Sequence, residues 1–370
     1  MNFGIVDGHA HIFPPLAGAC GFADAATHLL HQQRAMHEHG NQPYRRQNDN
    51  AVVTDRALWS ADDASEAGRR HVGFRVGRCG RFEWSVDGQA QYVQFLPPYM
   101  ADMSAPAEVI ARQMDYAGIA TAILQNDHIY GDSAEDFAAA ARYPGRFLGL
   151  AQVQEAWAFR DSEIARLVHQ VEHLGMAGLY FTYSGLFRSG YATLPSDPAY
   201  DPLWRTVARL DLPVWWVHRD NSPVGSYEDE LTDLARILER HPTIRSVLVH
   251  GLPTSRYADA DDRLHLPPIV ERLMTELPVS AELLYPISWG GKAEYPYAKA
   301  LLQFRQLVDR FGAGRFIWGS DMPNVERYCT YRQTLTYVWD HADFLSEADR
   351  RAIFRENALA LFRNGRFAGF

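Results

Sequence analysis

Cysteine is scarce in this 370-residue chain. Cys20, Cys79 and Cys329 are odd in number, widely spaced and never form a CxxC pair. A disulfide framework and a zinc–thiolate site are therefore not expected, and a reducing, cytoplasmic setting is. No apolar run approaches the roughly 18 residues that span a membrane. No basic segment followed by an apolar core opens the chain, so a secretory leader is not expected either. Positive charge is not in excess: 36 Lys and Arg stand against 45 Asp and Glu, a net −9. That leaves no basic face for a nucleic-acid partner. Internal repeats and low-complexity tracts are missing, and no GxGxxG follows the first apolar segment, which argues against a dinucleotide-binding open sheet.

What is present is an ordinary globular composition, 47% hydrophobic and 22% charged. Eight short apolar runs rich in β-branched and aromatic residues punctuate it: 3–12, 119–128, 146–154, 177–184, 212–220, 245–251, 279–286 and 315–323. Helical patterns lie between them. Ile164, Leu167, Val168, Val171 and Leu174 share one face of 161–175, with Gly175 where a C-terminal cap belongs. A second helix starts at Ser226 and buries Leu231, Leu234, Ile237 and Leu238. Ser346 and Asp349 have capping-box spacing before a last helix reaching Phe362. Strand–helix alternation repeated eight times predicts an α/β fold, a closed (β/α)8 TIM barrel forming a single domain over 1–370. Residues 13–105 do not fit the alternation. They read as a small β-containing insertion, a cap, with a hairpin in "RFEWSVDGQAQYVQF" (81–95) turning at Asp87-Gly88. The preceding "GRRHVGFRVGRCGR" reads as a solvated strand and loop, and "HLLHQQRAMHEHG" (28–40) as a solvated helix despite its four histidines.

Active sites of such barrels lie at the C-terminal ends of the strands. The residues there are Asp7, His9 and His11 on the first strand, His218 on the fifth, His250 on the sixth and Asp321 on the eighth. Alternate positions share a strand face, so Asp7, His9 and His11 are expected to line up. Neutral imidazoles and a carboxylate suit zinc, and also iron or manganese, with an open position for a water whose pKa zinc lowers to about 7.

With these residues in view, the chain resembles the metal-dependent amidohydrolase superfamily, and within it the branch containing aminocarboxymuconate semialdehyde decarboxylase. The resemblance rests on "DGHAHIFP", "YPGRFLGLAQV", "LPVWWVH", "HPTIRSVLVHG", "FGAGRFIWGSDMP" and "NALALF", in the family's order. It implies that His9, His11, His218 and Asp321 ligate one divalent metal, zinc before iron or manganese. It implies that His250 stands beside the metal-bound water as acid–base partner, that Asp321 also accepts a proton, and that Asp7 orients a ligand histidine. Two departures matter. The fourth strand reads "LYFTYS", without the lysine that bridges two metals in many relatives. The stretch "YVQFLPPYM" (92–100) lacks the arginine that grips a substrate carboxylate in the decarboxylase. Arg219, Arg188 and Arg256 are the candidate replacements.

Two further strand-end residues stand out. His128 and Glu282 read either as a second metal site, which in a few relatives is dinuclear iron or manganese activating oxygen, or more simply as a hydrogen-bonded histidine and an arginine-paired carboxylate. Trp216 shares alternation with His218 and is expected to face inward. Tyr285 and Trp289 are candidates for stacking on a flat substrate. "ADADD" (258–262) reads as a surface loop. The function expected is metal-dependent hydrolysis or non-oxidative decarboxylation of a small organic acid, lactone or amide. A dinuclear oxygenase and a companion subunit of a hetero-oligomeric enzyme are the alternatives. Relatives are commonly dimers, so a homodimer is expected, with a hetero-oligomer including a paralogue as the second arrangement.

Overall fold

A computed structural model describes residues 3–39, 42–54, 58–59, 63, 65–219, 221–222, 225–284 and 294–363. Eight parallel strands form one sheet in chain order: β1 (Ile5–Ala10), β2 (Ile119–Leu124), β3 (Phe147–Gln152), β4 (Gly178–Thr182), β5 (Val214–Val217), β6 (Ser246–Leu248), β7 (Val279–Leu283) and β8 (Phe316–Trp318). The sheet closes just beyond β8. His11 N donates to Met322 O at 2.8 Å and Asp321 N to His9 O at 2.9 Å. All eight apolar runs are strands, but each strand is shorter than its run. Several of the polar side chains, among them His11, Asn126, His250 and Asp321, lie just beyond the strand ends.

The barrel interior is filled by Val6, Ile123, Leu150, Trp215, Val247 and Ile317, all at most 1% exposed. Phe362 stacks on Trp215 at 5.7 Å and closes the bottom. The expected orientation of β5 is inverted. Trp215 and Val217 point inward, whereas Trp216 packs outward on Trp204 and Phe181 and donates through Nε1 to Ser246 Oγ. The expectation counted back by twos from His218, but β5 ends at Val217, and beyond a strand end alternation no longer dictates direction.

The helices follow the sequence signals. After α1 (Ala25–His39), discussed below, α2 (Asp161–Glu172) has Gly175 left-handed at φ 74 beyond its end, and α3 (Tyr227–Arg240) opens with a Ser226–Asp229 capping box. A fourth, α4 (Tyr331–His341), follows β8. The Ser346–Asp349 box is also present, but the last helix is interrupted by a π turn at Ala352–Glu356.

Between β1 and β2, strands Tyr44–Arg46, Gln89–Gln94, Arg81–Val86 and Arg75–Val76 make a four-stranded antiparallel sheet. Its hairpin turns at Asp87 (φ 51) and Gly88 (φ 75), both left-handed as a tight two-residue turn requires. Phe13 and Ala105 exchange backbone hydrogen bonds, 2.9 Å each way, so the segment leaves and rejoins the barrel at one point. Two local expectations are corrected. The Arg-rich stretch before the hairpin forms a short helix, Glu66–His71, as well as a strand. The histidine-rich helix α1 is solvated on one face only, with Arg34 and His37 exposed. His28, Gln32, Gln33, Ala35 and Met36 are buried between cap and barrel. His28 meets two backbone carbonyls, Gly18 O at 2.8 Å and Ile129 O at 3.1 Å. Such a helix needs polar groups that reach main-chain partners, and histidine provides them at little side-chain entropy.

Candidate metal centre

β1 and β8 end side by side, and this adjacency assembles the site. His9 Nε2 lies 3.1 Å from His11 Nε2, and Asp321 Oδ1 lies 3.0 Å from His11 Nε2 and 3.6 Å from His9 Nε2. All three residues are buried. Among the described residues they form the one group of three metal-competent side chains whose ligand atoms converge.

The far nitrogens of both imidazoles are fixed. His9 Nδ1 donates to Glu282 Oε2 at 2.8 Å. His11 Nδ1 donates to Asn126 Oδ1 at 3.0 Å, and Asn126 is itself oriented because its Nδ2 donates to Ile12 O and Ser133 Oγ. With both Nδ1 atoms protonated, two Nε2 lone pairs face each other next to a carboxylate. Three electron-pair donors packed this closely repel one another unless a cation sits among them. Carboxylate and amide partners on the far nitrogens are the support that metal-bound histidines use.

Glu282 does more than orient His9. Its Oε2 also accepts from His250 N at 2.8 Å, and its Oε1 accepts from Gln125 Nε2 at 3.1 Å. The simpler sequence reading, an arginine-paired carboxylate, is thus replaced by a histidine-paired one. His250 stacks on His9 with ring centres 5.4 Å apart. Burial, and then the neighbouring His9, push its pKa down to about 4. It sits at φ 66 and Asp321 at φ 61, left-handed conformations that turn both chains sharply at the ends of β6 and β8. Gly251 follows at φ 82, and a Cβ there would stand 2.2 Å from Glu282 O, so only glycine lets β6 turn this closely past β7. Burial alone raises the Asp321 carboxyl. When the two imidazoles also carry a proton on Nε2, the His11 hydrogen bond and the charges of His9, His11 and Arg327 outweigh it and hold the pKa below the usual carboxylate range.

Asp7 does not orient a histidine ring. Its carboxylate accepts from His9 N (3.0 Å), Ser320 N (2.9 Å), Ser320 Oγ (2.5 Å) and Tyr331 OH (2.6 Å). It ties β1 to the end of β8 and to α4. The reason is a register irregularity in β1 between Asp7 and Ala10, which breaks strict alternation, so Asp7 does not share the face of His9 and His11. Burial raises its pKa despite these bonds.

His218 is not one of the three whose ligand atoms converge. Its buried ring lies against Tyr183 and Tyr227, with Nδ1 3.6 Å from Glu230 Oε2 and neither ring nitrogen hydrogen-bonded. Val217 lines the cavity in its place, together with Tyr130, Tyr180, Asp127, Asn324 and Arg327. His128 and Glu282 are not partners. His128 faces a second cavity, where Nδ1 meets His31 Nε2 at 3.1 Å and Nε2 meets Ser184 Oγ at 3.1 Å. Arg219 is engaged elsewhere, donating to Glu38 and Tyr191, and Arg256 pairs with Glu228. Arg188 lines the second cavity. Tyr285 and Trp289 lie outside the described residues. Sequence reasoning passed over Asn126, Gln125, Tyr130, Asn324 and Arg327. "QND" directly after β2 and "NVER" just after Asp321 were the signals: amides and a cation at strand ends rather than in solvent-facing helices.

A search of curated proteins returns no match. Among solved structures, a probable 2-pyrone-4,6-dicarboxylic acid hydrolase from Acinetobacter baumannii, with citric acid bound, superposes with a TM-score of 0.54 at 19% identity, covering 70% of this chain and 90% of that one. A Pseudomonas putida protein provisionally given the same activity matches with a TM-score of 0.57 at 16% identity over 98% of both chains. A dihydroxybenzoic acid decarboxylase from Polaromonas sp. JS666, with bound manganese and 2-nitroresorcinol, matches with a TM-score of 0.50 at 20% identity, covering 70% and 87%. At these identities the likeness is one of fold: the same barrel. The sequence itself goes further, because the family model described as amidohydrolase matches residues 6–363, from the strand that bears His9 to past the π turn at Ala352–Glu356. With nearly its whole length matched, the chain belongs to the amidohydrolase family.

Proposed function

We propose that the chain is a divalent-metal enzyme acting on a small organic acid, by hydrolysis or by non-oxidative decarboxylation. The observation that carries this is the convergence of His9 Nε2, His11 Nε2 and Asp321 Oδ1, with Glu282 and Asn126 fixing both histidine tautomers. Two imidazoles and a carboxylate with a position left open suit catalytic zinc best. Such an ion supplies a Lewis acid and a bound water acidic enough to ionise near neutrality.

The protein's own groups do the rest. Glu282 holds the His9 ring and, through His250 N, sets where the His250 imidazole stands. His250 faces the cavity beside His9 and serves as the proton carrier, as base toward water in hydrolysis or as acid toward carbon in decarboxylation. Asp321 uses one oxygen, Oδ1, to meet His11 and Asn324, which leaves Oδ2 for a second proton. Tyr130 and Phe95 wall the cavity with aromatic surface that excludes water. A dinuclear oxygenase is not supported, because Glu282 is bonded to His9, Gln125 and the His250 backbone, whereas His128 meets His31 and Ser184 in another cavity. Cys20, Cys79 and Cys329 are all free thiols, which supports a reducing compartment such as the cytoplasm. Among the described residues no helix is long and apolar enough to cross a membrane.

Elemental analysis tests the reading. Protein produced in replete medium is expected to carry one divalent ion per chain, and His11→Ala to carry almost none. Wild-type protein with no metal above background, or with two ions per chain, refutes it.

A further inference from the structure

Among the described residues that line the metal cavity, one is a lysine or arginine: Arg327. It ends a short 3-10 turn, Asn324–Arg327, that begins three residues after Asp321. Its guanidinium is held on two edges. Nε donates to Asn324 O at 2.9 Å, and Nη1 donates to Phe95 O at 2.8 Å. Nη2 makes no hydrogen bond to the described residues, and the side chain is half-buried at the cavity wall. A planar fork with two edges fixed and one free is pre-organised for an oxyanion, because little rotamer freedom remains to be lost on binding. Phe95 belongs to "YVQFLPPYM", the stretch where the resemblance leads one to look for a carboxylate-gripping arginine and none occurs. The cap supplies a carbonyl there instead, and that carbonyl anchors a cation arriving from the turn after β8.

The surroundings favour a carboxylate over a neutral group. Asn324 Nδ2 is turned to Asp321 Oδ1 and to Tyr130 OH, so it does not compete for the ligand. Asp127 also lines the cavity, but its Oδ1 accepts from Ile129 N and lies 3.4 Å from His128 Nε2. We propose that Arg327 is the specificity-determining residue of the cavity, receiving through Nη2 a carboxylate of a small organic acid whose reacting carbon lies toward His9, His11 and Asp321. This rests on the metal-enzyme reading above.

The test uses the full-length, zinc-loaded chain and calorimetric binding of citrate, 2-pyrone-4,6-dicarboxylate and 2,6-dihydroxybenzoate, with uncharged resorcinol as the neutral control. At least one acid is expected to bind the wild type. Arg327→Met is expected to weaken that binding by roughly tenfold to a hundredfold, the worth of a hydrogen bond to a charged group. Arg327→Lys is expected to recover part of it, while metal content and resorcinol binding stay at wild-type level. If Arg327→Met does not fold because the strap to Phe95 is lost, Arg327→Lys carries the test alone, with acids bound several-fold more weakly and metal retained. Acid affinity unchanged in the folded variants overturns the proposal, as does failure of every acid to bind a wild type that holds its metal. A wild type that takes up no zinc refutes the metal reading instead, so the two failures are distinguishable.

Discussion

Glu282→Gln is the substitution that most sharply tests how the centre is built. The glutamate accepts three hydrogen bonds at two oxygens: His9 Nδ1 and His250 N on Oε2, both at 2.8 Å, and Gln125 Nε2 on Oε1 at 3.1 Å. An amide has the same shape but one oxygen and one NH2. If its oxygen takes the Oε2 position, the NH2 faces the Gln125 NH2, whose orientation is fixed by a second bond to Gly8 O at 3.1 Å. If it is flipped, the NH2 faces two donors. One arrangement breaks one bond and the other breaks two, and both remove the negative charge behind His9. Outer partners of metal-bound histidines are worth about 10- to 100-fold in metal affinity, or about 1.4 to 2.7 kcal/mol. Zinc affinity by competition with a chromogenic chelator is therefore expected to fall within that range, with the fold intact by circular dichroism. An affinity within about threefold of wild type would mean that Glu282 does not hold a ligand, and the reasoning from tautomers would collapse.

Two further outcomes are expected away from the metal. Glu155 is buried, its Oε2 has no hydrogen-bond partner, and burial first, then the charge of Asp127, push its pKa from the ordinary 4.5 to about 8. A raised carboxyl contributes stability that is complete below about pH 4.5 and is lost as pH rises to about 8, at most about 5 kcal/mol at roughly 1.4 kcal/mol per pH unit. Glu155→Gln should come close to wild type in thermal unfolding at pH 4 and exceed it at pH 8; a difference that does not grow with pH contradicts this. Gly8 lies in β1 between Asp7 and His9, and a Cβ there would stand 2.7 Å from Ile317 Cγ2 and 2.9 Å from Trp318 O. Gly8→Ala must push β1 off β8 at the point where the two present ligands, so denaturant unfolding should show a loss of about 2 kcal/mol or more. A loss under about 0.5 kcal/mol would show that the seam between these strands is not tightly fixed.

The fold was legible because its signals are local and repeated. Eight apolar runs alternating with amphipathic helices leave few alternatives to a barrel. Asp87-Gly88 and Ser226–Asp229 behave as turn and cap chemistry dictates, since each depends on residues within a few positions of itself. What failed depended on tertiary surroundings. Nothing in α1 distinguishes a histidine that meets water from one that meets the carbonyl of Ile129, 101 residues away in the chain. Trp215 and Trp216 are adjacent, identical and both fully buried, so composition cannot say which enters the barrel.

The site was legible in its ligand types and not in its directions. His9, His11 and Asp321 converge as their strand-end positions suggest, because the first and last strands of a closed barrel are neighbours. Period-two reasoning, however, holds only inside a regular strand. It fails for Asp7 because β1 shifts register before His9 reaches the rim, and for Trp216 because β5 ends at Val217, one residue before His218. In both places one residue of irregularity reassigns a side chain, Asp7 to the β1–β8 seam and Trp216 to the outward layer with Trp204 and Phe181. The residues that complete the centre, Asn126 after β2, Glu282 on β7 and Arg327 after β8, are each fixed by partners more than a hundred positions away. Ligand identity is thus written in short motifs, whereas tautomer, charge and substrate preference arise only where strand ends and cap meet. A change in the cap near Phe95 should accordingly alter which acid is accepted without altering whether metal is held.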